Sequence, residues 1–472
     1  MRILFAVKDL ASTDMLGIMY LSSMVKKDGH EIDVVDLEYN KVREKIKEYK
    51  PAIIGYSIAT HNRNQYLPIN KRIKKEFDIF SVFGGPHPTY FPDVIEEDGV
   101  DAICIGEGEY AFSEFINTFE SGKDITTIEN WWVKQNGKIH KNPIRYLIEN
   151  LDTLPFPDRE LFNIPGRDRQ NTQSFIASRG CAFACTFCFN ESLNKLYHHK
   201  GRVVRVRSVA HLIAEVKDAV KRYPIDFINF LDNVFIWTEK WGEEFAEKYA
   251  KEIGIPFFCC VQPRHLTEKM VVALKKANCR TVGMGVEAAD KYILMETLNK
   301  RVDKEKILEV SKTIKKYGIR LNTYNMLGLP GSSLDKELET LKLNIAIRAD
   351  YAGSTIYDPI PGTELAKKAK DIGLLNGSDE LDMDGTHSVL KFNSKADKIR
   401  RENLTRLFPI TAELPFLLPL IRLLIRLPLT GFYTYIYRLW EGYCTYFRLF
   451  PRRMSWNAFF RNIYYHIHHD RG

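Results

Sequence analysis

In the first 110 residues, short apolar runs alternate with amphipathic stretches. Runs at Ile3–Val7, Ile32–Val35, Ala52–Ser57, Phe80–Phe83 and Ala102–Ile105 have the length and composition of strands. Leu16–Lys27 and Val42–Tyr49 between them have helical spacing. Five short strands separated by helices predict a parallel, doubly wound sheet, an α/β fold of the Rossmann-like kind. Ligands of such sheets bind beyond the carboxyl ends of the strands. Those ends are rich in small and polar residues: Ser57-Ile58-Ala59-Thr60, Gly84-Gly85-Pro86-His87-Pro88-Thr89 and Gly106-Glu107-Gly108-Glu109.

The pattern then changes. Trp131-Trp132-Val133 followed by Asn136-Gly137 signals a hairpin, and Leu154-Pro155-Phe156-Pro157-Asp158 reads as connector. Alternation resumes with strands expected at Ser174–Ser178, Phe227–Leu231, Phe257–Val261, Thr281–Val286, Ile319–Met326 and Ser354–Tyr357. Ser208 is placed to cap a helix with the apolar face Val209, Leu212, Ile213, Val216 and Val220. Six β/α units predict a partial (β/α)6 barrel with its chemistry at the strand C-termini, by analogy with the complete eightfold barrel. The expected organisation is a first domain over 1–140, a connector over 141–170, the partial barrel over 171–370 and a mainly helical C-terminal region over 371–472.

Composition narrows the function classes. The chain has 472 residues, 45% hydrophobic and 27% charged, enough for several packed cores. Of the net charge of +8, residues 415–472 carry +6: eight Arg against Glu441 and Asp470. The remaining body is close to neutral, which argues against nucleic acid as a partner. Eight cysteines, three of them within 181–188, are too sparse for a disulfide scaffold and fit a reducing cytoplasm with one metal site. The N-terminus enters a strand directly, so no signal peptide is expected. Cys104, Cys259, Cys260, Cys279 and Cys444 lie in apolar stretches and read as buried packing.

The chemistry concentrates in Arg179-Gly180-Cys181-Ala182-Phe183-Ala184-Cys185-Thr186-Phe187-Cys188, directly after a predicted strand. Three thiolates within eight residues can wrap one corner of a metal site. A structural zinc site needs a closed tetrahedral set, and no second CxxC or HxxxH stands near to complete one. An iron–sulfur cluster usually takes four cysteines, so three would leave one iron open to a substrate or cofactor.

This CxxxCxxC after the first strand of a β/α barrel resembles the radical S-adenosylmethionine superfamily. The resemblance implies a 4Fe-4S cluster on Cys181, Cys185 and Cys188, with S-adenosylmethionine chelated to the open iron and cleaved by one electron to a 5′-deoxyadenosyl radical. Other segments match residue by residue. Phe187 resembles the aromatic beside the adenine. Phe230-Leu231-Asp232-Asn233 stands where the family binds the methionine amino group, with Asp232 the implied acceptor. Gln262 and Arg264 follow the third strand, Arg264 towards the methionine carboxylate. Gly285-Val286-Glu287 resembles the motif whose Glu approaches the ribose. Met326-Leu327-Gly328-Leu329-Pro330-Gly331 resembles the turn at the adenine, and Asp358-Pro359-Ile360-Pro361-Gly362-Thr363 a sixth-strand end of one subgroup.

That subgroup is the cobalamin-binding radical S-adenosylmethionine enzymes. The segments Gly84–Thr89, Gly106–Glu109 and Leu154–Pro157 carry the resemblance. It implies a corrin held by the loops containing Ser57, Thr60, Gly84, Gly85, Pro86, His87, Thr89, Gly106, Glu107 and Gly108, where small residues admit a flat ligand close to the backbone. One departure stands out. The DxHxxG of cobalamin mutases, whose His ligates cobalt, corresponds here to Thr13-Asp14-Met15-Leu16-Gly17, without a His. His61 and His87 lie on strand-end loops, and His87, between two prolines, reads as loop-shaping rather than as a ligand.

The implied activity is methylation of an unactivated carbon on a small-molecule or lipid-like substrate, with electrons from a flavodoxin or ferredoxin. A radical cyclase or rearrangement enzyme without methyl transfer is the alternative. A non-catalytic cobalamin or membrane-associated binding protein is a third reading, which the open-iron motif disfavours. The tail Leu414–Leu429 is strongly apolar, but Arg422, Arg426 and three prolines interrupt it too early for a membrane span. Arg422 and Arg426 are placed on one helix face. With Tyr433, Tyr435, Tyr437 and Trp440 downstream, residues 415–472 read either as a peripheral membrane contact of a cytoplasmic protein or as a helical cap over the barrel mouth.

Overall fold

The computed structural model describes residues 1–8, 10, 14–163, 171–375 and 386–450. The chain divides into two units. One comprises Met1–Arg169 with Lys195–Arg205, the other Gln170–Asn194 with Val206–Gly472. The short segment Lys195–Arg205, which the sequence places inside the barrel, therefore belongs to the first unit by its contacts.

The first unit is built on β1 (Arg2–Val7), β2 (Glu31–Asp36), β3 (Ile53–Ser57), β4 (Phe80–Gly84) and β5 (Ala102–Cys104), all parallel, in the order β2-β1-β3-β4-β5. Ile3, Leu4, Ile53, Ile54, Ala102 and Ile103 are fully buried, which is why the strands read as continuous apolar runs rather than alternating ones. The hairpin does more than connect. Its strands β6 (Trp131–Gln135) and β7 (Lys138–Lys141) add antiparallel to β5 and extend the sheet to seven strands. Asn136 and Gly137 both adopt positive φ, 52° and 72°, as a two-residue hairpin turn demands.

The second unit holds six parallel strands: Thr172–Phe175, Phe227–Phe230, Phe257–Val261, Cys279–Glu287, Arg320–Leu327 and Tyr351–Ile356. They pair in sequence order, leaving the first and last at the edges of an open sheet. Ser208 caps the helix Val209–Arg222 by accepting the His211 amide. The first strand ends at Phe175, short of the expected Ser178, because the amides of Ala177 and Ser178 donate to the Asp232 carboxylate instead of continuing the ladder.

Among the described residues, the helices of the C-terminal region lie along one edge of the sheet and under it rather than over the strand C-termini, against the cap that was one of the two readings of the tail. The helix Lys395–Glu413 lies on the edge strand Tyr351–Ile356, where Ser354 donates to the Thr405 carbonyl. Further on, the chain runs under the other end of the sheet. Thr281 donates to the Leu449 carbonyl, and the Arg320 guanidinium to the Arg448 carbonyl. The Phe450 ring sits 5.7 Å from Phe227 and 4.9 Å from Phe258. All four partners stand at or near the N-terminal ends of their strands. The described tail is thus a floor beneath the sheet. Arg422 and Arg426 also do not share one helix, because the helix Ile421–Leu424 is short and Pro428 follows.

The floor is expected to contribute to stability. Phe450→Ala should cost about 2–3 kcal/mol, less than the roughly 3–5 kcal/mol of a fully buried Phe because this ring is only partly covered. Urea denaturation measures it, and an unchanged midpoint would show that the floor is not part of the cooperative fold.

Candidate active site

The C-terminal ends of the second unit's strands surround a cavity of about 190 Å3. Cys181, Cys185 and Cys188 all line it, and the loop bearing them is fastened at several points. Cys188 N–H donates to the Cys185 carbonyl (3.1 Å) and Asn194 to that of Cys181 (3.0 Å). Thr186 bonds to the carbonyls of Leu298 and Thr297, and Asn299 donates to the Ala184 carbonyl. Asn190 Nδ2 lies 3.3 Å from Cys188 Sγ. Three soft donors spread around one cavity suit a polynuclear cluster. No group of three His, Cys, Asp or Glu side chains among the described residues closes around a single ion. Burial pushes the thiol of Cys185 up to about 11, with Lys300 pulling the other way, and it raises Cys181 as well. Iron binding would release those protons, since the thiolate is the ligand.

Phe187, Asn233, Gln262 and Glu287 line the same cavity, as the sequence led us to expect. Gln262 Oε1 is buried there without a protein partner among the described residues. Glu287 holds φ at 67° and pairs with Lys300 Nζ at 2.9 Å, both largely buried. The pair needs Gly285. A Cβ there would come within 2.2 Å of the Glu287 carboxylate and 2.7 Å of Lys300 Nζ.

Three expected residues stand elsewhere. Asp232, expected to accept from the methionine amino group, is 3% exposed and turned inward. Its carboxylate accepts from Ala177 N, Ser178 N and Ser178 Oγ (2.6 Å for the hydroxyl), leaving no open face for a ligand. Leu327 is fully buried in an apolar cluster with Leu404, Leu407 and Phe408, so its side chain faces away from the cavity. Arg264 is exposed, its guanidinium 6.0 Å from the ring of Phe183, which does line the cavity.

Sequence reasoning missed Lys300, Tyr324 and Cys260, all cavity-lining. Cys260 had been counted as packing. Instead its thiol lies within hydrogen-bonding reach of the Tyr324 hydroxyl, and burial pushes it up to about 11. The strand alternation of Phe257–Val261 could have placed Cys260 on the opposite face from Cys259. Nothing local marks Lys300, which depends on a loop folding back.

In the first unit, the expected loops form one stitched rim at the ends of β3, β4 and β5. Ile58 N–H donates to the Gly84 carbonyl (2.9 Å), His87 N–H to that of Ile58 (3.0 Å), and Gly106 N–H to Thr89 Oγ1 (3.0 Å). Gly85 has φ 94°, and a Cβ would meet the Ile58 carbonyl at 2.9 Å, so only glycine fits. Ser57, Gly84 and Gly108 leave the rim low, and Pro86 is exposed on it. His87 is turned inward, 3.2 Å from Thr60 Oγ1 and stacked on Phe91. Burial holds its pKa down at about 4, so the ring is neutral at ordinary pH. Glu107 directs its carboxylate to Ile148 N (2.9 Å) and to Arg205 (2.8 Å), bracing the connector rather than facing outward.

Residues 175–343 match the radical SAM superfamily model, and residues 7–116 match the B12-binding domain model. An uncharacterized methyltransferase of Pyrococcus horikoshii is 30% identical over 361 residues, covering 74% of this chain and 77% of that protein. This chain belongs to the cobalamin-binding radical S-adenosylmethionine enzymes. The anaerobic magnesium-protoporphyrin IX monomethyl ester cyclase of Rubrivivax gelatinosus is 27% identical over 379 residues, covering 75% of this chain and 66% of that one. The solved structure of OxsB, a cobalamin-dependent S-adenosylmethionine radical enzyme with aqua-cobalamin and S-adenosylmethionine bound, has the same fold. Its TM-score is 0.70 at 15% identity, with 99% of this chain and 70% of that chain covered. The cofactors of the class are a 4Fe-4S cluster, S-adenosylmethionine and cobalamin, and the residues described above have the chemistry to hold them.

Asp232 generates a pH prediction. Burial pushes its carboxyl up to about 7 from 3.8, against the hydrogen bonds that favour the anion. The native state therefore keeps a proton that the unfolded chain loses between about pH 4 and pH 7. The stability tied to this group is full below about pH 4 and falls as pH rises to about 7. Asp232→Asn should remove that fall. Denaturation midpoints of the two proteins across this range should diverge with pH, and parallel curves would rule the shift out.

Proposed function

We propose that this enzyme transfers a methyl group to an unactivated carbon of a small, largely apolar or lipid-like substrate. The observation that carries the reading is the convergence of Cys181, Cys185 and Cys188 with Gln262 and the Glu287–Lys300 pair on one cavity, in a chain that also carries a B12-binding domain. In this reading the three cysteines hold the cluster. Phe187 borders the nucleoside of S-adenosylmethionine. Gln262 Oε1 and Asn233 take the polar contacts of the methionine head, a role Asp232 is too enclosed to play. Glu287 faces the ribose. The rim of Ser57, Thr60, Gly84–Thr89 and Gly106–Gly108 holds the corrin, with His87 and Glu107 shaping the loops from behind. When bound, the cofactors supply an electron, a radical initiator and a methyl carrier. The chain's own residues position the substrate among Phe183, Val234, Val261 and Tyr324, side chains that suit an apolar body.

Methyl-free radical cyclisation is the second reading, favoured by the relation to the magnesium-protoporphyrin cyclase. Anaerobically reconstituted protein should hold about four iron per chain. Cys185→Ala should remove the cluster and cut 5′-deoxyadenosine formation at least a hundredfold. If that variant still cleaves S-adenosylmethionine, the cysteine assignment fails. With cobalamin and substrate present, S-adenosylhomocysteine appearing alongside 5′-deoxyadenosine supports methyl transfer. Turnover with 5′-deoxyadenosine alone supports the cyclase reading instead.

A further inference from the structure

The segment after the helix Lys395–Glu413 has two faces. Ile421, Ile425 and Tyr433 are buried against Leu404, Leu407 and Phe408, so the segment is anchored to the second unit. Its other face is left bare among the described residues. Phe416 is 70% exposed, Leu423 59% and Phe432 58%, and Leu420, Leu429 and Tyr435 each exceed 40%. Fifteen large apolar residues are exposed among the described residues, and these six fall within a stretch of only twenty, residues 416–435. Scattered exposed apolar residues are ordinary, but a concentrated patch marks a contact surface.

The charge beside the patch decides what it contacts. Arg422 and Arg426 are both exposed at its centre. Arg422 reaches only the exposed Asp335, a weak rim pair, and Arg426 makes no ion pair among the described residues. Glu413 and Glu441, the acids that flank the segment most closely in sequence, are already engaged by Arg448 and Arg438. Residues 415–435 themselves hold these two arginines and no acid. Apolar side chains flanked by arginines with long aliphatic stems match the boundary between acyl chains and anionic headgroups. No helix among the described residues is long and apolar enough to cross a membrane, so the contact is with one surface.

We infer that residues 415–435 dock this enzyme on the surface of an anionic lipid bilayer. The inference stands apart from the reading of the cavity, because none of these residues lines it. Six apolar side chains supply the insertion and the two arginines the preference for negative headgroups, each worth about fivefold in partitioning.

Vesicle flotation of the full reconstituted chain tests it, comparing phosphatidylcholine vesicles that contain phosphatidylglycerol with phosphatidylcholine alone. The chain should float with the anionic vesicles and at least tenfold less with the neutral ones. Phe416→Ser with Leu423→Ser and Phe432→Ser should abolish flotation. Arg422→Gln with Arg426→Gln should weaken it at least tenfold. All variants should keep 5′-deoxyadenosine formation at the parent rate, which shows that they are folded. Flotation of the triple Ser variant like the parent would overturn the proposal. So would failure of the parent to bind anionic vesicles. A parent that is dimeric by light scattering and fails to float, with a monomeric triple variant, would also overturn it and give the face to a second copy of the chain.

Discussion

The carboxylate of Asp232 is the interaction on which the cysteine site depends. It lies at the end of the second strand of the C-terminal unit and gathers the amides of Ala177 and Ser178 with the Ser178 hydroxyl. A buried acceptor with three donors is held in one geometry, and the donors cannot go unpaired without cost. The chain is thereby drawn out of the edge strand after Phe175 and delivered into Arg179-Gly180-Cys181. The far side of the cysteine loop is tied to Thr297, Leu298 and Asn299. Hydrogen bonds at both ends thus place the three cysteines around one cavity.

The opposite wall follows a similar logic with charge. Glu287 and Lys300 are a buried pair, and such a pair is tolerated only with close, well-satisfied geometry. The positive φ of Glu287 and the absence of a side chain at Gly285 make that geometry available. Lys300 also favours the anionic form of Cys185, so one cation serves both the carboxylate and the prospective ligand. Cys260 and Tyr324 complete the wall with neutral, weakly polar groups. The cavity therefore combines a corner of three cysteines, one compensated charge pair and a few apolar side chains.

An open sheet of six strands has an uncovered end and exposed edges, and edges invite unwanted pairing. The C-terminal region answers both. The helix Lys395–Glu413 covers the last strand, and residues 444–450 run beneath the strand starts, with Phe450 against Phe227 and Phe258. Placing the tail on the floor leaves the strand C-termini, where the cavity lies, to other elements. It also leaves one face of residues 415–435 without a protein neighbour among the described residues.

Much of this was legible in the residue pattern. Period and run length predicted the parallel strands of the two large sheets to within a few positions, and Asn136-Gly137 predicted its own turn, because these depend on local backbone preference and burial; the short pair Ser178–Arg179 and Arg205–Val206 went unpredicted. The spacing of Cys181, Cys185 and Cys188 brought them to one cavity, because three residues so close in sequence must be close in space. What needed the tertiary structure was direction. A sequence shows that Asp232 ends a strand, but only packing decides that its carboxylate turns inward to the Ala177 and Ser178 amides. Likewise Leu327 turns into the helical layer, Cys260 turns out into the cavity, and Lys300 arrives from a loop that folds back over Glu287. The tail was ambiguous for the same reason. Its apolar and basic residues allowed either a membrane contact or a cap over the mouth, and only contacts between residues more than a hundred positions apart put its last described residues, 448–450, on the floor of the sheet.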